Sequence, residues 1–166
     1  MFDAISQERL ALIYPELARR MNQVEQILET LGFTIRISQA LRTYAEQEAI
    51  YAQGRTSPGQ IVTHARGGDS WHQYGLAVDF VPMENGQPVW DRTHPAYGKT
   101  IEIAESLGLV SGSRWPEPKT DFPHLELVGR FPEGAPDSYA RYLLREGGCP
   151  AVWKEVDTEL GIPEAT

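Results

Sequence analysis

Residues 76–81 read Leu-Ala-Val-Asp-Phe-Val, apolar but for Asp79. A carboxylate inside an apolar strand must be hydrogen-bonded, ion-paired or bound to a metal, because desolvating it alone costs too much. Strand alternation puts Leu76, Val78 and Phe80 on one face and Ala77, Asp79 and Val81 on the other. Asp79 therefore emerges beside Ala77, a small neighbour that leaves room. His72 precedes the run across Gly75, whose backbone freedom lets the loop fold back over the strand end. A second short strand is expected in His-Leu-Glu-Leu-Val, residues 124–128, with His124 and Glu126 on one face and Leu125 and Leu127 on the other. If the two strands are neighbours, His72, Asp79 and His124 converge. Two imidazoles and a carboxylate with an open fourth position form the donor set of a catalytic zinc. Taken singly, each residue is more often structural: a buried Asp is usually hydrogen-bonded, and a His before a strand is usually a surface or core group.

The rest of the chain supplies a frame for these two strands. Residues 10–31 carry apolar side chains at helical spacing (Leu17, Met21, Val24, Ile27, Leu28, Leu31) and stop at Gly32. Residues 33–38 alternate as a half-buried strand. Thr43 and Glu46 form a capping box that opens a helix through Gln53, ended by Gly54. Residues 55–69 are loop, residues 84–88 (ENGQP) a hairpin turn, and residues 95–107 a helix closed by Gly108. Two further helical segments, around 137–145 and 151–160, finish the chain, with Leu143, Leu144 and Trp153 as expected buried anchors. Helices and strands mix without regular alternation, which predicts an α+β fold with a small, mostly antiparallel sheet flanked by helices. The 166 residues suit a single domain with one core.

Composition narrows the function. Net charge is −8, from 15 Lys and Arg against 23 Asp and Glu, which argues against a nucleic-acid partner. No apolar run approaches the roughly 20 residues of a membrane span, and the N-terminus lacks a signal-type apolar core. The expectation is a protein that is cytoplasmic when made, exported by another route, or shorn of its leader. A single cysteine, Cys149, leaves no intramolecular disulfide and no thiolate metal cluster, so a tightly held metal must use His and carboxylates. His64, in the loop, and His94 read as surface residues, Arg55 and Arg66 as solvated charges, and Trp71 and Trp115 as core or cleft walls.

Three motifs in order then give a resemblance. SWHQYGLAVDF, residues 70–80, resembles the Ser-x-His-x-x-Gly-x-Ala-x-Asp signature of the zinc D,D- and L,D-peptidases of bacterial cell walls. DFPHLEL, residues 121–127, resembles the second motif of that family, with an acidic residue three before the last His ligand. ALRTYAEQEAIYAQGR, residues 40–55, is similar to its Arg-containing segment, and IYPELARRMNQ, residues 13–23, to the leading helix of the L-alanyl-D-glutamate endopeptidase branch, which includes phage endolysins. The likeness covers about residues 8–128 and leaves 129–166 as a helical extension expected to pack on the catalytic part.

The resemblance implies the fold shared by hedgehog proteins and D-Ala-D-Ala peptidases, with a zinc site at strand ends. It implies one zinc per chain held by His72, Asp79 and His124, with Asp121 as the catalytic carboxylate. Arg42 becomes the catalytic cation that also meets the substrate carbonyl, and Ser70 a substrate-binding hydroxyl. Glu126 is expected behind a zinc ligand, orienting it, and Asp121 is preferred to it as base because the family places the base three before the His. The implied substrate is the peptidoglycan stem peptide, cut by a monomer at the cell wall in the periplasm or outside the cell, after loss of a leader or phage-type release. The bond expected to be cut is L-Ala–D-Glu. A D-Ala-D-Ala carboxypeptidase of the same family and a non-catalytic, zinc-containing wall-binding module are the alternatives.

Overall fold

In a computed structural model that describes residues 1–163, the apolar run becomes the centre of a five-stranded antiparallel sheet. Its strands are β1 (Ile35–Gln39), β2 (Ala77–Glu84), β3 (Gln87–Pro88), β4 (Val110–Ser111) and β5 (His124–Glu126). They lie in the order β1-β2-β5-β4, with β3 folded back onto β2. The helices are α1 (Ala4–Leu10), α2 (Pro15–Thr30), α3 (Tyr44–Ala52), α4 (Pro95–Ser106) and α5 (Ser138–Leu160), with short 3-10 turns at Trp71–Tyr74 and Gly112–Arg114. The fold is the α+β arrangement expected. No helix of the described residues is long and apolar enough to cross a membrane.

The chain divides into two compact units, of which residues 1–40 with 77–127 hold the whole sheet. One sheet face is apolar: Ile35 and Ile37 of β1, Val78 and Phe80 of β2 and Leu125 of β5 are at most 2% exposed. Each such side chain contributes roughly 1.5–3 kcal/mol by leaving water. The Phe80 ring meets Tyr97 of α4 at 5.4 Å between centroids. The β2–β3 turn places Asn85 and Gly86 at φ of 50° and 77°, between the paired residues Glu84 and Gln87. That is the two-residue hairpin for which Asn-Gly is suited, since both central residues need positive φ.

Residues 10–31 do not form one helix. Pro15 lacks an N–H and sits at the first position of α2, so the chain turns at residues 11–14 and a separate α1 precedes it. Leu17, Met21, Val24 and Leu28 are fully buried, whereas Ile27 and Leu31 are 40% and 50% exposed, so the apolar stripe is narrower than the composition suggests.

Residues 41–76 and 128–163 form the other unit. The capping box of α3 is made in both directions: Thr43 N–H donates to Glu46 Oε2 at 2.7 Å, and Glu46 N–H to Thr43 Oγ1 at 3.2 Å. Trp71 is buried against Tyr74 and Phe131, with ring centroids 5.1 and 5.5 Å away, and donates from Nε1 to Pro132 O at 3.1 Å. The two expected C-terminal helical segments are the halves of α5, broken at Gly148 (φ 68°, ψ −168°). The anchors differ from expectation. Ala140, Val152 and Val156 are buried, while Leu143, Leu144 and Trp153 are half-buried. Small and β-branched side chains let the helix backbone come close, and the larger ones straddle its border; Trp153 Nε1 donates to Tyr74 O at 2.7 Å. Cys149 is a half-buried free thiol, its pKa raised by burial.

Glu25 departs from the core's apolar rule: it lies on the buried side of α2 and is 1% exposed. Burial raises its carboxyl pKa, opposed by the N-terminal ammonium and the Ile35 N–H and abetted by Asp3. A folded pKa above the unfolded one means that its contribution to stability is greatest at acid pH and is lost as pH rises through the folded pKa. Glu25→Gln, which does not titrate, is therefore expected to melt higher relative to wild type at pH 7 than at pH 4, by roughly 2 °C or more. Calorimetry at the two pH values checks this; a gain that is the same or larger at pH 4 contradicts it.

Candidate metal centre

The pairing of β2 with β5 places Asp79 directly opposite His124 and Ala77 opposite Glu126. The expectation that these strands are neighbours is met. His124 opens β5, is 6% exposed, and has a carboxylate at each ring nitrogen: Nδ1 lies 3.3 Å from Asp79 Oδ1 and Nε2 3.0 Å from Glu126 Oε2. Burial disfavours charge on this ring, yet the bonds to Asp79 and Glu126 outweigh it and raise its pKa to about 10. The fold therefore builds a buried point at which positive charge is stabilised by two carboxylates, one of which, Glu126, is wholly buried.

His72 lies on the turn Trp71–Tyr74 and is 3% exposed. The turn ends at Gly75, in the left-handed conformation at φ 66°, and sends Leu76 back with its N–H on Trp71 O at 3.1 Å. One ligand atom from each of His72, Asp79 and His124 lies within 4.8 Å of the others, close enough for the three to hold a metal ion. The donors suit zinc. Bonds of about 2.0–2.1 Å in tetrahedral geometry separate donors by roughly 3.4 Å, close to the 3.3 Å between His124 Nδ1 and Asp79 Oδ1. With Glu126 on Nε2, Nδ1 is the ring nitrogen that faces Asp79.

Asp121 is half-buried and tied to the same strand end. Its N–H donates to Gly112 O at 2.9 Å, and its carbonyl accepts from His124 N–H at 3.3 Å. Gly112 escaped the sequence reading. A Cβ there would stand 2.7 Å from Asp121 O, 3.0 Å from the Trp115 ring and 3.1 Å from His124 Cβ, so only glycine lets these backbones approach. No local signal marks it, because the groups it touches belong to residues 115, 121 and 124. The Trp115 ring lies 4.9 Å from the His124 imidazole, tilted by 49°, and walls it on that side.

Arg42 is half-buried; its N–H donates to His72 O at 3.1 Å and its Nη1 to Gln47 Oε1 at 2.8 Å. Gln47, buried on α3, is itself anchored through Nε2 to Ala65 O at 2.8 Å. Ser70 is 8% exposed and opens the turn, its carbonyl accepting from Gln73 N–H at 3.0 Å. His64 is exposed. His94 is a helix cap: Nδ1 accepts from Ala96 N–H at 3.2 Å, and Nε2 lies 2.8 Å from Glu84 Oε1. Arg55 and Arg66 stack over Tyr51, 4.0 and 4.9 Å from its ring centre.

The chain is similar to known proteins in sequence and in fold. Residues 63–127 match a peptidase family described as D-alanyl-D-alanine carboxypeptidase. Over 124 residues the chain is 36% identical to the peptidoglycan L-alanyl-D-glutamate endopeptidase CwlK of Bacillus subtilis (strain 168), a match that spans 70% of this chain and 74% of that protein. Among solved structures it is similar to the Serratia marcescens L-Ala D-Glu endopeptidase ChiX, with TM-score 0.56 and 27% identity over 78% of this chain and 90% of that one. It shares its fold with the LD-carboxypeptidase LdcB, at TM-score 0.56 and 17% identity over 89% of this chain and 69% of that one. With that degree of likeness over most of both lengths, and with a His, Asp and His brought together within the matched residues, the chain belongs to the M15 family of peptidases.

Proposed function

We propose that this peptidase is a zinc enzyme that hydrolyses the L-Ala–D-Glu bond of the peptidoglycan stem peptide. The observation that carries the metal chemistry is His124, set between Asp79 and Glu126 by the pairing of β2 with β5. The bond choice is supported by the likeness to CwlK and ChiX, both named for cleavage between those residues. The D-Ala-D-Ala carboxypeptidase reading is kept alive by the family description matched by residues 63–127. We take residues 1–166 as one catalytic domain, since that match runs through both compact units. A single chain supplies every candidate site residue, which suits a monomer acting at the cell wall.

In this reading His72, Asp79 and His124 hold the zinc, and Glu126 keeps His124 in the tautomer and orientation that ligation needs. Zinc supplies Lewis acidity towards a peptide carbonyl and lowers the pKa of water. Asp121 accepts a proton from the attacking water and returns it to the leaving nitrogen as the C–N bond breaks, giving a new carboxylate and a new amine. Arg42, braced by Gln47, donates to the carbonyl oxygen as negative charge grows there. Ser70 hydrogen-bonds the substrate backbone. A binding module without catalysis would have no need of Asp121 or Arg42, and both are present.

Purified protein is expected to bind about one zinc per chain. His72→Ala, Asp79→Ala and His124→Ala should each lose it, and Glu126→Gln should weaken binding roughly 10- to 100-fold. Metal titration that finds the His variants binding like wild type overturns the ligand set. Asp121→Asn should keep zinc but lose most turnover, and Gly112→Ala, by pressing on both the Asp121 backbone and His124 Cβ, should lower kcat and weaken zinc binding together. Activity in Asp121→Asn together with inactivity in a zinc-retaining Glu126→Gln would transfer the base role to Glu126. Mass spectrometry of digested peptidoglycan should show new N-terminal D-Glu with D-Ala termini intact; release of D-Ala without a cut after L-Ala would establish the carboxypeptidase reading instead.

A further inference from the structure

The sheet face that bears Asp79 and His124 continues beyond them onto β1. Arg36 pairs with Val81, and Gln39 with Asp79 after an irregularity at Ser38, so Arg36 stands diagonally from Asp79 on the polar side. A cleft of about 420 Å³ opens over this face, lined by Arg9, Arg36, Ser38, Asp79 and Trp90, among others. Both guanidiniums are set by α1. Arg9 Nη1 donates to Ile37 O at 2.5 Å, and Arg36 Nε to Asp3 Oδ2 at 2.5 Å, while Asp3 caps α1 by accepting from Ser6 N–H at 2.8 Å. A guanidinium carries five N–H donors, so one such bond does not exhaust it. Arg36 is ion-paired with Asp3 and Asp79 lies on the same wall, so these charges balance; what the wall offers an anion is the remaining N–H donors of two guanidiniums held side by side.

Resting on the L-Ala–D-Glu reading, we propose that this cleft recognises the α-carboxylate of the D-glutamyl residue on the leaving side of the scissile bond, with Arg36 and Arg9 as its specificity-determining cations. In the stem peptide that carboxylate is borne by the same carbon as the nitrogen that leaves. An anion so close to the reaction must lie within a residue's length of the metal ligands. Arg36 meets this condition, because a diagonal neighbour across paired strands is within reach of a long side chain. Trp90, 64% exposed at the rim, offers an apolar flank for the methylenes of the γ-linked chain.

The test compares two synthetic stem peptides that differ only in having a free α-carboxylate or an α-amide at the D-glutamyl position. Wild type should prefer the free acid by roughly tenfold or more in kcat/KM, as expected for a charge-assisted contact. Arg36→Gln and Arg9→Gln should each narrow that preference to within about threefold, and Arg36→Lys should restore part of it. A ratio within one enzyme is insensitive to a general loss of activity, so a purely structural role for either arginine would leave it unchanged. Wild type cutting both peptides after L-Ala at equal rates overturns this assignment and leaves the endopeptidase reading standing, whether or not the variants fold. Failure to cut either peptide after L-Ala overturns the endopeptidase reading, and the cleft assignment with it.

Discussion

The pairing of β2 with β5 is the constraint on which the rest of this molecule depends. Val78 opposite Leu125 buries apolar surface on one face, and the same register sets Asp79 opposite His124 on the other. A slip by one residue would exchange the faces of one strand, setting its carboxylate against the apolar core and its core side chains among the polar groups. The free energy of packing the sheet against its helices thus also enforces the donor geometry. For Asp79 and His124, side by side across the two strands, the hydrophobic core beneath does the holding.

His124 shows how local chemistry adds to that. A buried imidazole between two carboxylates carries positive charge easily, and a divalent cation at Nδ1 satisfies the same field. Glu126 would be costly at 0% exposure without a partner, and the His124 Nε2 contact supplies one. Gly112 and Trp115 complete the surround: the glycine lets the Asp121 backbone come close, and the indole walls the ring. The polar groups are held by backbone contacts and packing, so little has to reorganise when substrate arrives.

Much of this could be read from residue order. The anomaly of Asp79 in an apolar run, the alternation of residues 124–128, the Thr43–Glu46 box and the Asn85-Gly86 turn are all local signals, and local signals survive without coordinates. The early chain was misread where a proline at the first position of α2 split what periodicity joined. Leu143, Leu144 and Trp153 were misjudged as anchors because which face of α5 is buried depends on what lies beneath it. Gly112 and the two-residue β4 were missed for a related reason: their meaning comes from β5 and residue 121, distant in sequence. The arginines of the cleft were invisible too, since Arg9, Arg36 and Asp79 meet only through strand pairing and the placement of α1.

In the proposed site one zinc sits among two imidazoles and the Asp79 carboxylate, with Glu126 behind and not in the coordination sphere. X-ray absorption at the zinc edge of the loaded protein tests it most directly. The expected result is a four- or five-coordinate ion with two imidazole nitrogens near 2.0–2.1 Å, the remaining donors being oxygen, and the same two-imidazole pattern in Glu126→Gln at saturating zinc. One imidazole or none, or a sphere that loses an oxygen donor when Glu126 is replaced, would contradict it.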